Sequence, residues 1–285
     1  MITSVDHVIV GVGDLDAATD SYTTVLGRRP SWRGVHEAYG TANTLFRLDN
    51  SYVELLSPAG DGPVGELLRA RLAEHGDGQM GVVFGTDDAA ALGERLRARD
   101  WEVGEPMPGE GRDTETGAVR RWKNLLFPEA RTRGLMSFAI EHDAESPPLP
   151  EAAVTESDTS AVAALDHVVV QSTDGDATAA IYGDALGIRL ALDKRFEQFG
   201  ARLIFFRVGH CSVEVAAPLD ADTADEPDRF GGLAYRVPDA DAAHARLSRA
   251  GADVSEVRKG RKKGTRVMTV RAPTCNVPTL LIGPA

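Results

Sequence analysis

Two histidines sit in nearly the same surroundings: His7 in "VDHVIV" (5–10) and His167 in "LDHVVV" (165–170). Each follows an aspartate and heads an apolar run, which reads as a strand carrying an imidazole beside a carboxylate. Two glutamates lie inside equally apolar stretches, Glu54 in "YVELL" and Glu141 in "SFAIEH". A carboxylate buried on such a strand requires a partner, because an unpaired buried charge is costly. Neutral imidazole and carboxylate together suit a borderline divalent ion such as Zn, Mn, Ni, Co or Fe. The simpler reading of Asp-His at a strand head is a hydrogen-bonded pair with no metal. Further along, Arg121, Trp122 and Lys123 alternate on one strand, "VRRWKNLLFP". Trp122 therefore points to one side, Arg121 with Lys123 to the other, and one set faces any cleft. The basic run Arg120–Lys123 could hold an anionic group, or could guard an exposed sheet edge.

The elements that position these residues come in copies. The histidines are 160 positions apart, and in that register Tyr22 falls on Tyr182, Gly27 on Gly187, Gly40 on Gly200, Glu54 on Glu214 and Pro58 on Pro218. A long, gap-free self-match marks a duplicated structural unit. After the first strand, "GDLDAATDSYTTVLG" puts Leu15, Ala18, Tyr22 and Val25 on one helical face, with Asp14 as N-cap and Gly27 as the stop. "NTLFRLDNSYVELLSP" reads as a hairpin turning at "DNS". The same plan recurs more weakly over 81–103 and 232–254, making four units in two pairs. A stretch rich in Pro, Ser, Glu and Ala (144–163) predicts a linker between domains 1–143 and 164–285.

Composition narrows the partners. At 285 residues with a net charge of −12, the chain is poorly suited to nucleic acid or anionic membranes. No apolar stretch is long enough to span a bilayer, and the N-terminus lacks a basic region followed by an apolar core. Two cysteines, Cys211 and Cys275, make no disulfide framework. The expectation is a cytoplasmic protein, monomer or homodimer, whose partner is a small-molecule substrate. The basic loop "RKGRKKGTR" (258–266) reads as solvated.

"DHVIVGVGDLDAATDSYTTVLG", "YVELLSP", "TDDAAAL" and "SFAIEH" together resemble the vicinal oxygen chelate superfamily, which includes glyoxalase I, bleomycin-resistance proteins, methylmalonyl-CoA epimerase and extradiol dioxygenases. The first half is most similar to the glyoxalase-like subgroup. The resemblance implies an α+β fold of four βαβββ modules, forming two tandem domains that are incomplete barrels around a cleft. It implies a divalent metal held by His7, Glu54 and Glu141. Gly81 stands where a fourth ligand is usual; Gln79, two residues earlier, serves only if the strand shifts or bulges. In the second domain the corresponding set keeps His167 and Glu214 but has Gly232 and Gly283, so that domain is expected to be metal-free.

The activity implied is that of a metal-dependent lyase or isomerase on a small carbonyl compound. Its enediolate would be stabilised by the metal, its proton shuttled by Glu141, and its substrate held by Arg121, Trp122 or Lys123. The alternative is a metal-free binding or resistance protein of the same fold. An extradiol dioxygenase would need a second histidine that is missing.

Overall fold

The computed structural model describes residues 1–219 and 226–285. The first half runs β1 (Ile2–Gly11), α1 (Leu15–Leu26), β2 (Trp32–His36), β3 (Thr41–Arg47), β4 (Tyr52–Pro58), α2 (Pro63–His75), β5 (Gly78–Thr86), α3 (Ala89–Arg97), β6 (Met107–Asp113), β7 (Val119–Leu126) and β8 (Met136–His142). The second runs β9 (Ala164–Gln171), α4 (Gly175–Ala180), β10 (Arg189–Phe196), β11 (Ala201–Val208), β12 (Cys211–Pro218), β13 (Arg229–Arg236), α5 (Ala240–Arg249), β14 (Asp253–Val254), β15 (Arg258–Lys259), β16 (Thr265–Ala272) and β17 (Thr279–Pro284).

Local chemistry sets these elements where the sequence predicts them. Asp14 accepts a hydrogen bond from the Ala17 amide at 3.0 Å and starts α1. Gly27 ends it in the left-handed conformation (φ 65°). Ala18, Tyr22, Val25 and Leu26 are the buried face of that helix. Within each half the first strand runs parallel to the fourth and antiparallel to the first strand of the next module. His7 lies beside Tyr52 and Val83, and His167 beside Ser212 and Ala234.

The two halves differ in closure. The first is a closed barrel, β1-β4-β3-β2-β6-β7-β8-β5, where an incomplete one was expected. Closure comes from β2 pairing with β6 at Gly34↔Asp113 and Val35↔Arg112. The Asp113 carboxylate also accepts hydrogen bonds from the Arg33, Glu115 and Thr116 amides. The second half stays an open sheet, β10-β11-β12-β9-β13-β17-β16-β14, with β15 on β16. There β14 and β15 are only two residues each, and neither pairs with β10. Leu190 and Leu192 on that edge are consequently half exposed.

One hydrophobic core runs through both halves, with Val8, Tyr22, Phe46 and Phe84 from the first and Tyr182, Phe206, Tyr235 and Leu247 from the second. The stretch predicted as a linker packs on the fold, with Val162 in this core and Leu149 in a smaller cluster with Trp32 and Leu45. Leu149, Ala152, Ala161 and Val162 are buried, and backbone hydrogen bonds tie Arg29 to Ala153, Thr155 to Gly27 and Val162 to Leu26. The hairpin-turn residue Asn50 clips the halves together, its amide bonding both the carbonyl (2.8 Å) and the N–H (3.0 Å) of Leu165. Among the described residues no helix is long and apolar enough to cross a membrane.

Candidate functional site

The closed barrel encloses a cavity of about 420 Å³. Its walls are mostly apolar: Ile9, Leu45, Leu56, Met80, Phe138 and Ile140 all face it. Helix α2 covers one end with Val64, Leu67 and Leu68. That helix seats so closely on the β2–β3 connection that a Cβ on Gly65 would lie 2.2 Å from the Gly40 carbonyl oxygen. Only glycine permits this approach.

A polar cluster crosses the inner wall. His7 donates through Nδ1 to Asp6 at 2.7 Å and approaches Glu54 Oε2 through Nε2 at 3.3 Å. Asn43 donates to the other Glu54 oxygen at 2.7 Å. His142 donates to the second Asp6 oxygen at 2.9 Å. The Tyr52 ring stacks on the imidazole with centroids 4.4 Å apart. Burial alone would favour a neutral ring, but hydrogen bonds to Asp6 and Glu54 outweigh it and push His7 up to about 9. Burial would likewise raise both carboxylates. The His142 and His7 hydrogen bonds overcome it at Asp6, and the His7 bond does so at Glu54, so both stay below the ordinary carboxylate range. His7 is therefore an imidazolium held between two carboxylates. His36, beside Asn43 at 3.4 Å, is pushed down by burial and stays neutral.

The expected metal set does not assemble around this pair. His7 is opposite Val83, and Val83 is opposite Phe138. Even-numbered residues of β8 therefore face the cavity, and Glu141 points to the outer face. There its two oxygens accept from Lys123 Nζ at 2.8 Å and from the Ala89 N–H at 2.8 Å, capping α3. Gln79 is also turned out. The β1–β5 register slips between Ile9↔Gly81 and Val10↔Gln79, and the extra residue, Met80, enters the cavity instead. Both polar atoms of the Gln79 amide are buried without a protein partner. The space beside Gly81 is filled by Met136, whose Cε would lie 2.6 Å from a Cβ there.

Among the described residues no three His, Cys, Asp or Glu side chains gather as a metal site. Two donors, His7 and Glu54, fall short of the three protein ligands usual even in an open catalytic site. These residues do not fit a resident divalent ion.

On β7 the alternation resolves the earlier choice. Arg120, Trp122 and Asn124 face the cavity. Arg121 and Lys123 face out, paired with Glu110 and Glu141. Trp122 meets the His36 ring edge-on at 5.8 Å. His36, Asn43 and Tyr52 were not evident as site residues because the self-match could not mark them. In the 160-residue register they fall on Phe196, Leu203 and Ser212.

The second half repeats the central pair: His167 bonds Asp166 at 2.8 Å and Glu214 at 3.1 Å. Here the sheet is open, and burial leaves Glu214 raised rather than lowered.

Comparison with known proteins places both halves. Residues 5–164 match the glyoxalase-like domain family, and residues 166–269 match the glyoxalase/bleomycin resistance protein/dioxygenase superfamily. The chain belongs to this family, as two tandem domains. It is similar to an ethylmalonyl-CoA/methylmalonyl-CoA epimerase of Cereibacter sphaeroides, 31% identical over 113 residues, 38% of this chain and 82% of the relative. A mutant of 4-hydroxymandelate synthase from Streptomyces coelicolor has the same fold, with a TM-score of 0.70, 18% identity and coverage of 99% and 93% of the two chains. So does an Mn(II)-bound glyoxalase from Novosphingobium aromaticivorans, with a TM-score of 0.63, 17% identity and coverage of 99% and 82%. At such identities the two structures speak to the fold alone.

Proposed function

We propose that the first domain binds a small, largely apolar organic molecule inside its barrel, with a polar group turned towards His7 and Glu54, and with no metal held by the protein. The carrying observation is the cavity: about 420 Å³, apolar over most of its wall, with a few polar groups such as His7, Asn43 and Glu54 among its lining residues. Small-molecule sites have this size and character, a few fixed polar groups giving orientation within apolar walls. The Oδ1 of Asn43, beside Glu54 and without a hydrogen-bond partner, is the group that orients the ligand's polar end.

The reading is tested with the neutral fluorescent probe N-phenyl-1-naphthylamine. Saturable binding at one site per chain is expected, lost when Ile140→Trp fills the cavity. No binding, or binding indifferent to Ile140→Trp, overturns it.

A second reading, an isomerase that moves a proton beside a carbonyl, is favoured by the similarity to an epimerase. It also draws on the contact between His7 and Glu54, with Glu54 as base and His7 as acid. Its test is deuterium uptake from solvent into methylmalonyl-CoA, followed by NMR. Uptake abolished by Glu54→Gln supports catalysis, and none in the wild type removes this reading.

A further inference from the structure

Arg120 is a cation on the cavity wall without a counter-ion. It forms no ion pair with any described residue, and its Nε is buried with no hydrogen-bond acceptor. The guanidinium instead lies over the Trp32 ring, 5.9 Å from its centroid. A buried donor left unmade costs free energy, so such a group is kept where something supplies the acceptor. The buried carboxylates nearby are already engaged, Asp6 by His7 and His142 and Glu54 by His7 and Asn43, and the other carboxylate lining the cavity, Glu129, is exposed and forms no ion pair with Arg120. Two acceptor oxygens on the cavity's side chains, Asn43 Oδ1 and Asn124 Oδ1, are unpaired as well.

Position adds direction. Arg120, Tyr52 and His142 border the apolar cavity and also a second, open pocket of about 260 Å³, whose rim includes Arg47 and Asp49. Arg120 therefore stands where the dry interior meets a route to solvent. An anionic group at this point would keep partial access to water while its body is buried. The planar guanidinium suits a carboxylate in particular, through two parallel hydrogen bonds.

We propose that the ligand is an organic carboxylate, its anionic end paired with Arg120 and its aromatic or alkyl body in the barrel. This rests on the cavity being a binding site, and it names the class of molecule bound there.

The test compares 1-naphthaleneacetate with its neutral isostere 1-naphthaleneacetamide, both measured by displacement of N-phenyl-1-naphthylamine and by calorimetry. In the wild type the acid binds at least tenfold more tightly than the amide. Arg120→Gln erases that ratio and Arg120→Lys retains part of it, while Arg121→Gln, on the outer face of the same strand, keeps it. The ratio is the readout because a general loosening of the cavity weakens both compounds alike. Equal affinity for acid and amide in the wild type overturns the carboxylate proposal while leaving the cavity reading standing. A preference that survives Arg120→Gln overturns the role of Arg120. If the probe, acid and amide all fail to bind, the cavity reading falls and this proposal falls with it.

Discussion

His7 and Glu54 meet across the first and fourth strands of the first module, Nε2 to Oε2 at 3.3 Å, and His167 and Glu214 repeat the contact at 3.1 Å. The contact follows from parallel pairing, which puts Glu54 beside Ile9 and Glu214 beside Val169. Histidine and glutamate two positions apart in register then share one face. What surrounds each pair differs, and the consequences are measurable.

The first expected outcome is a stability that falls with rising pH. His7 is raised from 6.5 to about 9 on folding, so between those values the folded chain holds a proton that the unfolded chain has released. Its contribution is full below about pH 6.5 and is lost as pH rises through 9. Asp6 and Glu54 are lowered, so theirs is present above the ordinary carboxylate range and is lost in acid. Urea unfolding at pH 6.5 and 9.5 should show the wild type losing more stability than His7→Gln. Parallel profiles would remove the imidazolium from the account.

Glu54→Gln should destabilise by on the order of 2 kcal/mol, since it strips one counter-ion from a buried cation while Asp6 keeps the other. The His7 titration, followed by NMR, should move down with it. Glu214→Gln should cost less, because burial there already disfavours the ionised carboxylate. Equal costs would contradict the difference between the closed and open sheets.

Arg246 is 2% exposed and donates to the carbonyls of Thr24, Val25 and Ser160. Helix α5 of one half thereby caps α1 of the other. Arg246→Ala leaves three acceptors without that donor, at about 1 kcal/mol each, or about 3 kcal/mol in all. A chemical denaturation midpoint unchanged from wild type would show water replacing the guanidinium at no cost.

Glu141→Ala removes the acceptor of the Ala89 N–H at the start of α3, a loss of about 1 kcal/mol, together with an exposed ion pair to Lys123. Probe binding in the barrel should not respond, since the side chain lies on the outer face of β8. A tenfold loss of probe affinity would return Glu141 to the site.

Added Mn(II) and added EDTA should each leave the melting temperature at pH 7.5 within about a degree, since only an ion bound to the folded state shifts it. A rise of several degrees with Mn(II) would show His7 and Glu54 recruiting an ion despite the missing third ligand.

The sequence by itself determined the modular plan: four strand–helix–strand units in two pairs, Asp14 and Gly27 bounding α1, and His7 with Glu54 and His167 with Glu214 as equivalent pairs. These follow from local rules, namely periodicity, capping and self-similarity, which act over a few residues or repeat unchanged.

Three features were settled only in the tertiary structure. Closure of the first barrel depended on β2 meeting β6, some 80 residues away. The facing of Glu141, Gln79 and Arg121 depended on strand register and on one bulge at Met80, and a shift of a single residue exchanges the faces of a strand. The site residues His36, Asn43, Tyr52 and Arg120 come from four different strands and have no shared spacing. Only folding the sheet into a closed barrel brings them to one cavity.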